Sequence, residues 1–288
     1  MYDESSPKRS AAPTRHAPAT VTLSTPSLLI IDPQNDFCDI PGAALPVAGA
    51  DADMRRLAAL ITARATAIER IVVTLDSHQR LDIAHPGFWQ RADGGAVAPF
   101  TPITALQLRA GEFRPRDAAA LPRAQAYLDE LEARGRYTLM VWPVHCEIGS
   151  WGHNVHAAVH GALAAWQEAR QRNAEFVLKG LNPWTEHYSA LQAEVPDAAD
   201  PGTALNRALI ERLDACEALW IAGEASSHCV RATVEHLAEH LPSGRLDKLV
   251  LIEDCMSPVA GFEAEAADFL ARMRARGLRL ARSSELGA

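Results

Sequence analysis

The chain has 288 residues, 48% of them hydrophobic, with a formal net charge of −8. That is enough apolar material for one large core. The charge, with no basic block, argues against nucleic-acid binding, and no run of about 18 uncharged apolar residues is present to span a membrane. No apolar signal-peptide core follows the first residue, so a cytoplasmic enzyme is expected.

Residues 1–25 are rich in Pro, Ser, Thr and Ala without apolar periodicity, and read as a flexible leader to a single domain over residues 26–288. Short apolar runs then alternate with amphipathic patterns. Strands are expected at Ser27–Asp32, Arg70–Asp76, Tyr137–Trp142, Glu175–Lys179, Ala218–Gly223 and Lys248–Glu253, with a further candidate at Leu278–Ala281. Their unbroken apolar character suits strands buried on both faces. Helices are expected at Asp51–Glu69, Ala118–Arg134, Asn154–Asn173, Thr203–Cys216, His228–His240 and Glu263–Gly277. This alternation predicts a parallel sheet covered by helices, with its site at the carboxyl ends of the strands. The segment 86–136 is too long for an ordinary connection and reads as a lid or insertion.

Five cysteines, Cys38, Cys146, Cys216, Cys229 and Cys255, are odd in number, widely spaced and lack a CxxC pair, so neither a disulfide framework nor a structural zinc site is expected. Cys229 follows an apolar strand and small residues in WIAGEASSHCVR, at the start of a helix. Free N–H groups and the helix dipole there favour a thiolate and can hold an oxyanion. From this segment alone, a nucleophile and a small buried hydrophobe are equally good readings. Only three of the 28 basic residues are lysines, Lys8, Lys179 and Lys248. Lys179 ends the strand in FVLKG and Asp32 the strand in LLIID. Separately they read as a snorkelling lysine and a turn aspartate. Together with Cys229 they put an acid, a cation and a thiol at one sheet edge. Asp76 and His78 in TLDSH, His85 in AHPGF and His145 in WPVHC supply a carboxylate and imidazoles suited to zinc, iron or manganese. A lone histidine of this kind reads better as a loop hydrogen-bonding group.

The motif set resembles the nicotinamidase/isochorismatase-like cysteine hydrolase family. Asp32-Pro33-Gln34-Asn35-Asp36-Phe37 is similar to D-x-Q-N-D-F, and Pro41–Val47 to PGGALAV. Asp76-Ser77-His78 is similar to D-W-H, His85-Pro86-Gly87-Phe88 to H-x-S-F, and Trp142–Cys146 to W-P-x-H-C. Lys179-Gly180 with Tyr188-Ser189 matches K-G…Y-S, and Gly223–Arg231 resembles G-x-A-T-D-x-C-V-R. The resemblance implies a three-layer α/β/α sandwich with a six-stranded parallel sheet and an Asp32–Lys179–Cys229 triad. It implies a cis peptide at Glu224–Ala225 that directs the Ala225 and Cys229 N–H groups to an oxyanion. It also implies a divalent metal, zinc with iron or manganese as alternatives, on Asp76, His78 and His145, joined in some members by His85. Phe37, Trp142 and Tyr188 would line the pocket of a small-molecule amide, and the assembly would be a homo-oligomer.

Three departures bear on the substrate. Ser77 stands where the family has Trp, Glu147–Asn154 replaces a Gly-rich run, and Ser226-Ser227-His228 precedes Cys229. Trp151, His153 and Trp184 are candidates for reshaping the pocket. The leading expectation is a metal-dependent, nicotinamidase-like amidase. Its alternatives are a metal-independent relative acting on a carbamoyl, ureido or maleamate-type amide, and a non-catalytic binding protein on the same fold. Isochorismatase-type hydrolysis is disfavoured, since it does not need the Cys229 nucleophile.

Overall fold

The structure, a computed structural model, describes residues 25–287. The leader expected over residues 1–25 therefore lies, Thr25 apart, outside the described residues. In chain order the elements are β1 (Pro26–Ile31), α1 (Ala50–Ala63), β2 (Arg70–Asp76), β3 (Trp89–Arg91), β4 (Thr101–Ile103), α2 (Ala105–Arg109), β5 (Phe113–Pro115), α3 (Leu121–Arg134) and β6 (Leu139–Val141). They continue with α4 (Ala157–Arg170), β7 (Glu175–Lys179), α5 (Arg207–Asp214), β8 (Ala218–Gly223), α6 (Cys229–His240), β9 (Leu249–Ile252), α7 (Glu263–Ala275), β10 (Arg279–Ala281) and α8 (Ser283–Leu286).

Six strands form one parallel sheet in the order β10-β9-β8-β1-β2-β7. Alternation along β1 divides the core. Leu29 and Ile31 pack with α5, α6 and α7, whereas Leu28 and Ile30 pack with α1 and α4. The result is the expected three-layer sandwich, with β1 at its centre because its residues are apolar on both sides. Register is tight where β1 meets β8. Gly223 has φ +124°, and a Cβ there would lie 1.9 Å from the Ile31 carbonyl oxygen. Glycine at this position lets the chain turn towards Cys229 without parting the two strands. No helix among the described residues is long and apolar enough to cross a membrane.

Two expectations need correction. Tyr137–Trp142 is reduced to β6, which is not in the parallel sheet but pairs antiparallel with β4. Its place beside β2 is taken by β7, an edge strand with Phe176 and Leu178 about half exposed rather than buried on both faces. The physical reason lies in the insertion. Residues 83–141 form a small unit with β3 paired to β5, β4 paired to β6, and its own core of Trp89, Ile103, Phe113, Leu128, Leu131 and Val141. The apolar residues of β6 are consumed by that core.

Candidate active site

The tips of four neighbouring strands, β8, β1, β2 and β7, meet at one edge of the sheet. Asp76 and Lys179 are register partners at the ends of β2 and β7. Asp32 follows β1 with φ +46°, a left-handed conformation uncommon for a residue other than glycine. Cys229 begins α6, four residues after Ala225 of the cis Glu224–Ala225 peptide. All four side chains are buried.

Lys179 ties them together. Its Nζ lies 2.8 Å from Asp76 Oδ1, 3.1 Å from Asp32 Oδ2 and 3.6 Å from Cys229 Sγ, and it donates to the His187 carbonyl at 2.8 Å. Burial opposes the Lys179 charge, but Asp32 and Asp76 hold its pKa well above the ordinary lysine value. Burial raises the Asp32 pKa, with Lys179 working in the other direction. Burial also pushes the Cys229 thiol well up despite Lys179. The resting arrangement is thus a neutral thiol beside a carboxylate that is a better proton acceptor than a solvated one, both facing a fixed ammonium. Thr74 completes it: its hydroxyl donates to Asp32 Oδ1 at 2.6 Å. Among the described residues the N–H groups of Ala225 and Cys229 have no protein acceptor. Two backbone donors of the segment that leads into α6 are therefore left open.

The imidazoles sit on loops. His78, His85 and His145 are buried, and their ligating nitrogens all lie within 4.8 Å of one another. Asp76 Oδ2 is 3.0 Å from His78 Nε2 and 3.4 Å from His145 Nε2. The opposite ring nitrogens are occupied: His78 Nδ1 bonds Asp82 Oδ2 at 3.1 Å, and His145 Nδ1 bonds the Pro143 carbonyl at 2.9 Å. The Pro143 carbonyl takes a proton on His145 Nδ1 and leaves the Nε2 lone pair of a neutral ring towards Asp76, whereas His78 has a carboxylate on each nitrogen. A carboxylate and imidazole nitrogens gathered in this way form a donor set that suits a divalent metal. Burial works against charge on His78, yet Asp76 and Asp82 lift its pKa well above normal. Burial weighs against ionised Asp76, but His78 and Lys179 hold its pKa well below the usual range. Burial, His145 and His78 depress His85 to about 2, keeping its ring neutral.

A narrow cavity of about 20 Å³ joins the two halves. Phe37, Leu45, Asp76, Trp142, His145, Glu186, Tyr188, Ala225, His228, Cys229 and Val259 line it. The expected pocket aromatics Phe37, Trp142 and Tyr188 are all among them, and Trp142 Nε1 donates to the Tyr188 hydroxyl at 3.1 Å. Trp151, His153 and Trp184 are not. Trp151 lies half exposed beside Gly42, His153 bonds the Ser77 hydroxyl, and Trp184 stacks under Arg123. His145 reaches the site from the loop after β6, not from a neighbouring strand of the sheet.

Several supporting residues escaped the sequence reading. Gln34 exchanges bonds with the Asp76 backbone at 2.8 and 2.7 Å, and Asp36 accepts from the Cys146 N–H at 2.7 Å. Both belong to the D-x-Q-N-D-F stretch, where a polar pair beside a buried strand end was a usable signal. Thr74 was equally visible as the lone hydroxyl in RIVVTLD. Asp82 and Glu186 carried no local pattern.

No family model and no curated protein matches the chain. Solved structures do match in shape. A nicotinamidase/pyrazinamidase of Acinetobacter baumanii superposes with a TM-score of 0.61 at 19% identity, over 92% of this chain and 99% of its own. A yeast nicotinamidase gives 0.62 at 20% identity, over 89% and 99%. A Pyrococcus horikoshii pyrazinamidase in complex with zinc gives 0.52 at 19%, over 90% and 99%. At such identities the likeness is one of fold.

Proposed function

We propose that the chain is a metal-dependent cysteine amidohydrolase that cleaves a carboxamide, nicotinamide in the leading case, to the acid and ammonia. The observation that carries this reading is the buried Lys179 ammonium, within 3.6 Å of a thiol that lines the cavity and within 3.1 Å of two carboxylates. The fold shared with nicotinamidases and a pyrazinamidase that binds zinc supports it.

Asp32 accepts the Cys229 thiol proton while Lys179 offsets the charge left on sulfur. The thiolate attacks the amide carbon, and the oxyanion takes the Ala225 and Cys229 N–H groups. Asp32 returns its proton to the departing nitrogen, ammonia leaves, and the acyl group stays as a thioester on Cys229. Asp32 then takes a proton from water as it attacks the thioester, the acid leaves, and the thiol is restored. Asp76, His78 and His145, with His85 beside them, would hold the metal. When bound, it supplies a Lewis-acidic anchor for a heteroatom of the substrate. Phe37 and Trp142, both in the cavity lining, would receive a flat ring. The imidazole cluster favours this reading over a metal-independent relative.

The test is ammonia release from nicotinamide and from linear amides, with metal analysis. Cys229→Ala is expected to abolish release while bound metal persists. Continued ammonia release by that variant would overturn the mechanism.

A further inference from the structure

Glu186 is a buried carboxyl group that the reaction above does not use. It sits two residues before Tyr188, is 3% exposed, and lines the same cavity as Cys229, Asp76 and His145. Three bonds fix it. Its N–H donates to the Tyr127 hydroxyl at 3.2 Å, its carbonyl accepts from the Glu194 N–H at 2.8 Å, and Oε1 accepts from the His187 N–H at 2.9 Å. The second oxygen, Oε2, is buried and has no hydrogen-bond partner among the described residues. A carboxyl oxygen stripped of water and given no donor is costly to keep. Its position in the cavity wall means that a bound molecule is able to supply that donor.

The place of Glu186 along the cavity follows from its neighbours. Burial raises its pKa, and the charged groups that then act on it most strongly are His78, Asp76 and Asp82. The carbonyl of the next residue, His187, accepts from Lys179 at 2.8 Å, and Asp76, His145 and Cys229 share the cavity lining with Glu186, so Glu186 borders both ends of the cavity. The clamp on its backbone comes from the insertion, since Tyr127 is on α3. A sheet of this kind without the insertion would lack that hold.

We infer that Glu186 is a specificity-determining residue, and that the preferred substrate is a carboxamide bearing a second N–H or O–H donor besides the scissile amide. This inference rests on the amidohydrolase reading and names its substrate class. The site is built to pair one particular polar substituent, and an analogue with a methyl group there leaves Oε2 unpaired.

The experiment compares amino-substituted pyridine-3-carboxamides with their methyl-substituted counterparts, position by position around the ring. Two quantities are read: kcat/KM for the native chain, and Kd for the Cys229→Ala variant, which separates binding from turnover. At one ring position the amino compound is expected to exceed the methyl compound by about 10-fold or more in both. Glu186→Leu should bring that ratio to about one, and Glu186→Gln, which keeps an acceptor oxygen, should retain part of it. Tyr127→Phe, which alters the backbone clamp, should reduce it by a smaller factor. A general structural defect would weaken both members of a pair and leave the ratio unchanged. Ratios near one at every position, or a ratio that survives in Glu186→Leu, overturn the role of Glu186. Ammonia release with flat ratios removes that role alone. Selective binding without ammonia release leaves it standing and removes the amidohydrolase reading, and no binding of any amide removes both.

Discussion

The thiol end and the imidazole end of the cavity are built in different ways. Asp32, Lys179 and Cys229 stand at the tips of strands or one short turn beyond them, and β1 and β8 are hydrogen-bonded along their full length. His78, His85 and His145 stand on loops held by side chains: Asp82 against His78, Asp36 against the Cys146 amide, Gln34 against the Asp76 backbone. Asp76 belongs to both ends, with Oδ1 on Lys179 and Oδ2 on the imidazoles. The sheet sets the spacing at the thiol end, so a lost partner there leaves a buried charge that cannot relax. The braces at the imidazole end are individually replaceable, so losses there should be graded.

The largest expected effect tests the rigid end. Lys179→Met leaves Asp32 and Asp76 facing each other without their shared cation, which should lower stability by about 3–5 kcal/mol and abolish ammonia release. Urea unfolding and an ammonia assay read the two effects. A variant as stable as the native chain would mean that the thiol end is not electrostatically locked. Next comes His145→Ala, expected to remove bound metal while Cys229 still reacts with iodoacetamide; lost alkylation would show that the two ends are one unit. Asp82→Asn should weaken metal affinity by about 10–100-fold, measured by competition with a chelator, because His78 loses the partner that orients its ring. The smallest change is Thr74→Val. The Thr74 hydroxyl favours ionised Asp32, so its loss should raise the Asp32 pKa further. Activity needs the ionised form, and the acid limb of the kcat/KM profile should therefore move to higher pH. An unmoved limb would assign that limb to another group.

Much of this was legible before any coordinates. An uninterrupted apolar run such as SLLII admits few fates, and an ionisable residue closing such a run stands out because burial penalises it. That logic found Asp32, Asp76 and Lys179. It misjudged Tyr137–Trp142, since an apolar segment does not say which of two cores will take it, and the insertion's core took this one. It also missed Glu186 and Asp82, whose neighbours along the chain are unremarkable and whose meaning comes from distant partners, Tyr127 and His78.

The amino-acid sequence by itself determined the parallel sandwich, the strand tips and the residue types that gather there, because burial and periodicity act locally along the chain. Only the tertiary structure decided that β7 and not β6 lies beside β2, that Asp76 is shared between an ammonium and two imidazoles, and that Glu186 keeps an unpartnered oxygen in the cavity wall. Those outcomes depend on contacts between residues far apart in sequence, where packing and electrostatics choose among arrangements that local pattern leaves equivalent.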